Sequence, residues 1–282
     1  MTNDRKILRI IQAKPTTEGA GVRLKRVFGN QEISLLDPFL LLDDFHSDNP
    51  NDYIAGFPSH PHRGIETVTY MIAGNMKHED SIGNAGIIRS GDIQWMTAGN
   101  GIIHSEMPEQ TDGLMWGFQL WCNLPEKSKM MNPRYQEITK EQIPEIKQNQ
   151  TSIRVIAGTL NGIKGPVQDI VIDPEYLDIS ISDGKFIHNV KAGYTVFAYI
   201  LEGEGYFDQN QDQVVRSEQL VLFSDGTQVV VQATEKPLRF LLISGKPIKE
   251  PVAWYGPIVM NTDDEIKLAF EEYRNGTFLK HQ

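Results

Sequence analysis

Short runs rich in Val, Ile, Tyr and Phe recur along the chain and are separated by Gly, Asn, Asp and Pro. Examples are ETVTYMIAGN, YTVFAYILEGEG and QLVLFSDGTQVVV. Runs of this length are typical of β-strands, and the turn residues between them leave little room for helices that would connect parallel strands. The pattern predicts an all-β protein, a sandwich or barrel, and not alternating βαβ units.

One clear helix is predicted, near the C-terminus, in the segment NTDDEIKLAFEEYRNG. Thr262 and Glu265 have the spacing of a capping box, in which each side chain bonds the backbone N–H of the other residue. The pair Asn275-Gly276 is typical of a helix end. Between these limits, one apolar stripe at helical spacing predicts a face that packs against a sheet or another domain; it consists of Ile266, Ala269, Phe270 and Tyr273.

The charge balance argues against several classes of partner. Lys and Arg total 27 and Asp and Glu total 37, so the 282-residue chain has a formal net charge of -10. Binding nucleic acid or an anionic membrane requires a basic surface, and no Lys/Arg-rich run is present. The single cysteine fits a reducing compartment, and the N-terminal segment lacks the apolar core of a signal peptide. We therefore expect a cytoplasmic protein that binds neither nucleic acid nor membrane.

The two halves of the chain resemble each other. VTYMIAGN at 68–75 resembles FAYILEGE at 197–204, and IIRSGDIQWMTAGNGI resembles VVRSEQLVLFSDGTQV. Internal similarity of this kind indicates two like domains in tandem, the alternative being a chance likeness of two Gly-rich hairpins. The predicted domains are 1–130 and 151–282, each an antiparallel β-barrel, with a linker at 131–150 and the helix at the end of the second domain.

Two of the seven histidines stand one residue apart in SHPHRGIE. On a helix His60 and His62 would point in well-separated directions, whereas on an extended strand both face one side, close enough to bind one ion. Pro61 between them argues against a helix interior and is tolerated at the start or edge of a strand. The pair predicts a strand that presents two imidazoles to a cavity.

A second pair with the same spacing occurs in GNGIIHSEMP, where His104 and Glu106 also face one side of a strand. Gly99 and Gly101 allow a tight turn just before them. Together the pairs offer three imidazoles and one carboxylate, which suits one divalent transition metal and leaves positions open for dioxygen or substrate. The set favours Fe(II) over a closed structural zinc site, although Mn, Ni, Cu and Zn also accept these donors.

The second half of the chain lacks these donors. When the halves are aligned on the repeat, the four residues of the first half fall opposite Asn189, Lys191, Val231 and Ala233. Such a one-sided distribution predicts one domain that binds metal and one that does not.

Other conspicuous side chains are interpreted as structural. The remaining histidines are expected to be paired or packed within the fold or at its surface: His46, His78, His188 and His281. Cys122 is predicted to be a buried strand thiol, because no Lys, Arg or His lies near it in sequence. Five large side chains are expected to fill the core, with some facing a pocket: Trp95, Met96, Trp116, Phe118 and Trp121. Phe57 is placed at the mouth of that pocket.

SHPHRGIETVTYMIAG followed by GDIQWMTAGNGIIHSEMP resembles the pirin family of the cupin superfamily. The likeness covers nearly the whole chain, through LLLDDF, NLPEKSKMMNPRYQ, AWYGPIVMNT and EEYRNGTF. The resemblance implies a bicupin, two tandem cupin or jelly-roll barrels with metal in the N-terminal one. The four ligands of the family correspond to His60, His62, His104 and Glu106.

The choice of carboxylate has an alternative. Cupins in general use as a metal ligand a glutamate four residues after the second histidine, and this chain has Glu66 at that position. The resemblance to pirins instead implies that Glu106 is the carboxylate ligand, and the one-residue spacing between His104 and Glu106 agrees with that choice. Glu66 would then support the ligands or bind the metal in another state.

The resemblance to pirins with quercetinase activity implies a metal-dependent dioxygenase that cleaves quercetin-like flavonols. Its partners would be a small planar aromatic substrate and dioxygen, and Glu106 would be the catalytic base that takes the proton of the flavonol 3-hydroxyl. Other pirins resemble regulatory proteins. The resemblance therefore also implies an alternative function for this chain, that of a metal-loaded, redox-responsive protein that binds a transcription factor or a metabolic enzyme. We expect a monomer, because two barrels in one chain can replace the packing that single cupins seek from a partner.

Overall fold

The computed structural model describes residues 3–29, 31–110 and 112–280, and most of its regular structure is antiparallel β-sheet. The all-β class with a short C-terminal helix is therefore confirmed. The strands are β1 (Ile7–Gln12), β2 (Lys14–Glu18), β3 (Val22–Phe28), β4 (Phe39–Ser47), β5 (Phe57–His62), β6 (Ile65–Ala73), β7 (Met76–Asp80), β8 (Ala85–Ile88), β9 (Ile93–Thr97), β10 (Ile102–Pro108), β11 (Met115–Asn123), β12 (Arg134–Ile138), β13 (Glu145–Gln148), β14 (Thr151–Ala157), β15 (Thr159–Leu160), β16 (Ile163–Lys164), β17 (Glu175–Ile181), β18 (Lys185–Asn189), β19 (Thr195–Glu202), β20 (Glu204–Tyr206), β21 (Val214–Arg216), β22 (Gln219–Phe223), β23 (Gln228–Ala233), β24 (Leu238–Gly245), β25 (Ala253–Tyr255) and β26 (Ile258–Met260).

The helices are α1 (Ile33–Leu36), α2 (Pro50–Tyr53), α3 (Glu126–Lys129) and α4 (Asp263–Arg274), with a 3₁₀ turn at Lys140–Gln142. Among the described residues, none of these helices has the length and apolar composition needed to cross a bilayer.

The chain forms two compact units. Unit I contains Lys14–Lys140 and Ile248–Gln282, and unit II contains Met1–Ala13 and Glu141–Pro247. The N-terminal segment up to Ala13 thus belongs to the unit formed mainly by the second half of the chain, and the segment from Ile248 belongs to the other unit. The predicted division at 1–130 and 151–282 placed each of these ends in the opposite domain. Strand β1 pairs with β22 of unit II, whereas β25, β26 and α4 belong to unit I.

The segment predicted as a linker, 131–150, carries strands instead. In unit I, β12 pairs with β9, and in unit II, β13 pairs with β14. A strand pattern in the sequence does not specify which open sheet edge the strand will join, because that choice depends on contacts far along the chain.

Each unit contains a seven-stranded and a four-stranded sheet. In unit I the strand orders are β12-β9-β6-β11-β4-β3-β2 and β5-β10-β7-β8. In unit II they are β1-β22-β19-β24-β17-β14-β13 and β18-β23-β20-β21. The sheets stay separate, since edge strands such as β2 and β8 pair on one side only. Each unit is therefore a jelly roll of two antiparallel sheets that do not close into one barrel, and the predicted cupin or jelly-roll fold is confirmed.

The C-terminal helix begins and ends where the sequence predicts. The Thr262 side chain accepts a hydrogen bond from the backbone N–H of Glu265, whose carboxylate accepts one from the backbone N–H of Thr262, so the capping box is present. Helix α4 buries Ile266 and Ala269. Tyr273, at the end of the predicted apolar stripe, is 39% exposed, and its ring packs edge-on against another aromatic ring of unit I.

A buried lysine connects three segments of unit I. Lys129 is 1% exposed, and its ammonium group donates to the carbonyl oxygens of Gly64 and Val259, at 2.9 and 3.1 Å, and to Oδ1 of Asn123, at 2.6 Å. Gly64 has φ +79°, and a Cβ atom there would lie 2.0 Å from the carbonyl oxygen of Val259, so glycine is required. Burial lowers the pKa of Lys129 to about 7.

Replacing Lys129 by Met is expected to lower the free energy of unfolding by about 2–4 kcal/mol, because three buried oxygen acceptors lose their donor. The pKa is about 7 in the fold against an ordinary 10.5, so the unfolded chain binds more protons between these values. The contribution of Lys129 to stability therefore rises with pH across that window.

Denaturant unfolding of the metal-free proteins at about pH 7 and about pH 9.5 measures this effect. The difference in free energy between the wild type and Lys129→Met should widen at the higher pH, whereas Lys127→Met, on the exposed side of the same helix, should stay close to the wild type at both. A difference that does not widen would mean that Lys129 remains charged in the fold.

Candidate metal centre

Three of the four predicted ligands converge in unit I. His60 and His62 lie on β5, and His104 lies opposite His60 on the neighbouring antiparallel strand β10. The Nε2 atom of His60 is 3.0 Å from Nε2 of His62 and 3.0 Å from Nε2 of His104. Among the described residues, these three side chains form the one group of His, Cys, Asp or Glu with the spacing of a metal site.

Backbone carbonyls determine which nitrogen of two of these rings faces the cluster. Nδ1 of His60 donates to the carbonyl oxygen of Pro58 at 2.8 Å, and Nδ1 of His62 donates to that of Pro257 at 2.9 Å. A neutral imidazole with its proton on Nδ1 carries a lone pair on Nε2. Burial lowers the pKa of all three imidazoles, most strongly for His62 and His104, which favours the uncharged form that can bind a metal.

This arrangement fits a divalent transition metal. Nitrogen ligands lie about 2.1 Å from such a metal, so two of them at right angles are about 3.0 Å apart, against about 3.4 Å at a tetrahedral angle. The two 3.0 Å spacings from Nε2 of His60 match the first of these values, so the nitrogens can share one ion. The lone pairs of His60 and His62 repel one another at this distance unless a cation lies between them.

Glu106 lines the same cavity from β10. Its Oε1 accepts a hydrogen bond from Oγ1 of Thr69 at 2.7 Å, and Oγ1 of Thr69 is also 2.9 Å from the side-chain amide of Gln119. Burial raises the pKa of Glu106, and the bond from Thr69 acts in the opposite direction. The carboxylate is not part of the three-imidazole group, and its role as the fourth ligand stays a prediction.

Glu66, the alternative carboxylate, is bonded inside the sheet. Its Oε2 accepts from Nε1 of Trp95 at 3.1 Å, and its Oε1 accepts from Oγ1 of Thr97 at 2.7 Å. Burial raises its pKa, against the effect of these two bonds. Glu66 is not among the described residues that line the cavity, whereas Glu106 is, so the geometry favours Glu106.

His60 and His62 face a cavity of about 740 Å³. Trp121 meets the His62 ring edge to face at 5.0 Å, and Trp254 lies 5.7 Å from Trp121. Phe57 lines the cavity, as the sequence predicted for one aromatic ring near the histidine pair. The remaining lining residues are Glu18, Gly19, Ala20, Leu24, Arg26, Leu41, Asp43, Phe45, Pro58, Gln119, Tyr255, Gly256 and Pro257.

A sequence model of the family Pirin matches residues 21–122, and a model of the Pirin C-terminal cupin domain matches residues 176–279. The chain belongs to the pirin family. Members of this family bind a metal, and in this pirin the three imidazoles are the donors that the structure brings together.

Three relatives illustrate the match. A pirin-like protein of Caulobacter vibrioides is 44% identical over 97% of this chain and 99% of its own. A quercetin 2,3-dioxygenase of Acinetobacter baumannii, known from a crystal structure, is 34% identical with a TM-score of 0.90 and covers 98% of this chain and 99% of that one. A bacterial pirin of Escherichia coli in complex with nickel(II) shares the fold, with 20% identity, a TM-score of 0.65 and coverage of 85% of this chain and 99% of that one.

The sequence did not identify the hairpin β25–β26 of this pirin as part of the site. Between its strands Pro257 supplies the carbonyl that orients His62, and Trp254 and Tyr255 line the cavity. A signal was present in AWYGPIV, where aromatic residues precede a Gly-Pro turn. Nothing in that pattern indicates that the turn lies against β5.

Arg63, next to His62, connects the metal-binding strand to the end of the chain. Its guanidinium, 3% exposed, donates to the carbonyl oxygens of Asn100 and Phe278, at 2.8 and 2.6 Å, and forms an ion pair with Glu272 at 2.7 Å. It also lies 4.3 Å from the centre of the Phe278 ring. These contacts restrain the backbone that carries the two imidazoles of β5.

The other histidines within the described residues are paired or packed. His46 stacks on Trp116 at 4.2 Å, and His78 pairs with Glu137 at 2.8 Å. His281 lies outside the described residues. The large side chains Trp95, Met96, Trp116 and Phe118 are buried as predicted, whereas Trp121 faces the cavity. Cys122 is buried, and burial raises the pKa of its thiol well above the usual range, as expected for an unreactive strand cysteine.

Strand register corrects the alignment of the two halves. His60 lies opposite His104 in unit I, and in unit II the residue opposite Val231, the counterpart of His104, is Phe186. His60 therefore corresponds to Phe186, and His62 corresponds to His188. The predicted counterparts Asn189 and Lys191 are wrong because the loop at 190–194 is longer than the turn at 63–64.

Unit II thus retains one imidazole at an equivalent position. His188 bonds a carboxylate oxygen of Glu175 through Nε2 at 2.8 Å and stacks on Phe186. An apolar ring takes the place of His60, and the nitrogen that would face a metal is already bonded. These contacts agree with a second domain that does not hold a metal.

Replacing His60 by Asn is expected to weaken metal binding by at least about 100-fold, since even the hydrogen-bond partners of metal ligands are worth about 10- to 100-fold. Competition for Co(II) against a chromophoric chelator measures the affinity of the purified protein. His46→Asn, outside the cluster, serves as the control and should bind like the wild type. Equal affinity of the His60 variant and this control would exclude the cluster as the metal site.

Proposed function

We propose that this pirin is a metal-dependent dioxygenase that cleaves the oxygen-containing ring of quercetin-like flavonols. The observation that carries the proposal is the convergence of three imidazole Nε2 atoms beside a cavity with aromatic sides, which His60 and His62 line. The similarity to a quercetin 2,3-dioxygenase over nearly the full length of both chains supports it.

In this proposal His60, His62 and His104 hold one divalent metal through Nε2, and Glu106 completes the ligand set. Fe(II) is our preferred metal, because histidine and carboxylate donors with open positions are typical of non-haem iron oxygenases. When bound, the metal supplies an electrophilic centre at which a flavonol and dioxygen can be held together.

The cavity walls suit a flat aromatic molecule. Phe57, Trp121 and Trp254 offer ring faces or edges, and Leu24 and Leu41 add apolar surface. A flavonol bound between them directs its 3-hydroxyl and 4-keto oxygens toward the imidazoles. These apolar side chains also exclude water, which strengthens the electrostatic interactions at the reacting oxygens.

Glu106 then acts as the general base. The proton of the flavonol 3-hydroxyl moves to the carboxylate of Glu106, and the electron pair of the O–H bond remains on the substrate as an enolate. This electron-rich form is the one that reacts with dioxygen. The hydrogen bond from Thr69 to Oε1 of Glu106 keeps the carboxylate oriented toward the cavity while the proton is transferred.

Oxygen uptake by the Fe(II)-loaded protein with quercetin tests the reaction. We expect uptake matched to flavonol loss, no activity in His104→Ala, and a loss of at least about 100-fold in Glu106→Gln, the usual range for a general base. Glu66→Gln is the matched control and should retain activity, because its amide oxygen can accept from Nε1 of Trp95 while its NH2 group donates to Oγ1 of Thr97.

Two results would contradict the proposal. Wild-type protein that is shown to hold its metal and yet consumes no oxygen with flavonols would favour a binding or sensing role. Full turnover by metal-loaded Glu106→Gln would exclude Glu106 as the base.

A further inference from the structure

A second polar group lines the cavity, apart from the imidazoles. Nε and Nη2 of Arg26 donate to the two carboxylate oxygens of Asp43, both at 2.8 Å, and Nη2 lies 2.9 Å from Oε1 of Glu18. All three side chains line the cavity, and we call them the Glu18–Arg26–Asp43 cluster. Asp43 is 5% exposed, so its carboxylate is shielded from bulk solvent.

Strand register relates this cluster to the metal centre. Arg26 on β3 lies opposite Asp43 on β4, which lies opposite Gln119 on β11, which in turn lies opposite Thr69 on β6. Paired residues share one face of a sheet, and neighbouring strands are about 4.8 Å apart, so Asp43 lies about 10 Å from Thr69. Thr69 bonds Glu106, and the cluster is therefore about two strand spacings from the reacting end of the cavity.

The side chains around the cluster are apolar. Leu24 lies two residues from Arg26 on β3, and Leu41 and Phe45 lie two residues on either side of Asp43 on β4. Residues at this spacing face the same side of a strand. The cavity thus has polar side chains at two places, the imidazoles and the cluster, and apolar side chains next to both.

The charges of the lining residues restrict what can bind. Three carboxylates line the cavity, and Arg26 is the one Lys or Arg among the described lining residues. Its guanidinium is already bonded to both carboxylates of the cluster. A carboxylate or phosphate on the substrate would be repelled, whereas hydroxyl groups can donate to carboxylate oxygens.

We propose that the Glu18–Arg26–Asp43 cluster binds hydroxyl groups on the pendant phenyl ring of the flavonol and so determines which flavonols this pirin accepts. The inference rests on the proposed function for the orientation of the substrate. With its 3-hydroxyl and 4-keto oxygens at the imidazoles, a flavonol extends its pendant ring across β11 toward Asp43 on β4. Two adjacent phenolic hydroxyls then donate to Asp43 and Glu18.

Binding of two flavonols to the Fe(II)-loaded protein under argon tests the proposal, because no turnover occurs without dioxygen. Quercetin carries two hydroxyls on the pendant ring, and galangin, the 3,5,7-trihydroxyflavone, carries none there. Fluorescence titration should show that the wild type binds quercetin at least about tenfold more tightly than galangin, the effect of one or two hydrogen bonds to charged acceptors.

Glu18→Gln is the main variant, because Glu18 is 42% exposed and its replacement leaves the Arg26–Asp43 pair intact. It should bind galangin like the wild type and lose most of the preference for quercetin. Asp43→Asn is a second variant, expected to lose the preference more completely. Glu79→Gln, at an exposed carboxylate paired with Lys77 outside the cavity, is the control and should keep the preference.

Equal affinity of the wild type for both flavonols would overturn the proposal, as would equal weakening of both ligands by Glu18→Gln. The outcome is separable from that of the oxygen-uptake assay. A protein that discriminates between the flavonols but cleaves neither would support this recognition site and contradict the proposed reaction. Turnover of both flavonols without a difference in affinity would support the reaction and contradict the recognition site.

Discussion

Two backbone carbonyl oxygens, those of Pro58 and Pro257, determine how unit I can act on a ligand. Each accepts the Nδ1 proton of a histidine, so the lone pairs of His60 and His62 both face the group that His104 completes. The lone pairs of His60 and His62, 3.0 Å apart, are unfavourable unless a cation lies between them. The pairing of β5 with β10 and the position of the β25–β26 hairpin both serve this convergence.

Features that depend on neighbouring residues could be predicted from the sequence. Short apolar runs separated by turn residues indicated the all-β class, and one-residue spacing placed His60 and His62 on one face of a strand. The capping box of Thr262 and Glu265 depends on one turn of helix, and its prediction is confirmed. Motifs from both halves indicated the pirin family, which the family matches confirm.

Features that depend on distant segments could not be predicted. His62 and Pro257 are 195 positions apart, and no local pattern links a histidine to the carbonyl that orients it. The exchange of β1 and α4 between the units, and the open edges of the sheets, also depend on long-range strand pairing. The longer loop at 190–194 displaced the alignment of the halves, so the correspondence of His188 with His62 emerged only from strand register.

The most direct test of this account is a crystal structure of the Fe(II)-loaded protein with an anomalous difference map at the iron edge. We predict one strong peak per chain within bonding distance of Nε2 of His60, His62 and His104, with Nδ1 of His60 and His62 still bonded to Pro58 and Pro257. Bonds through Nδ1, or a strong peak elsewhere with none at these imidazoles, would contradict the claim that the two carbonyls create the metal site.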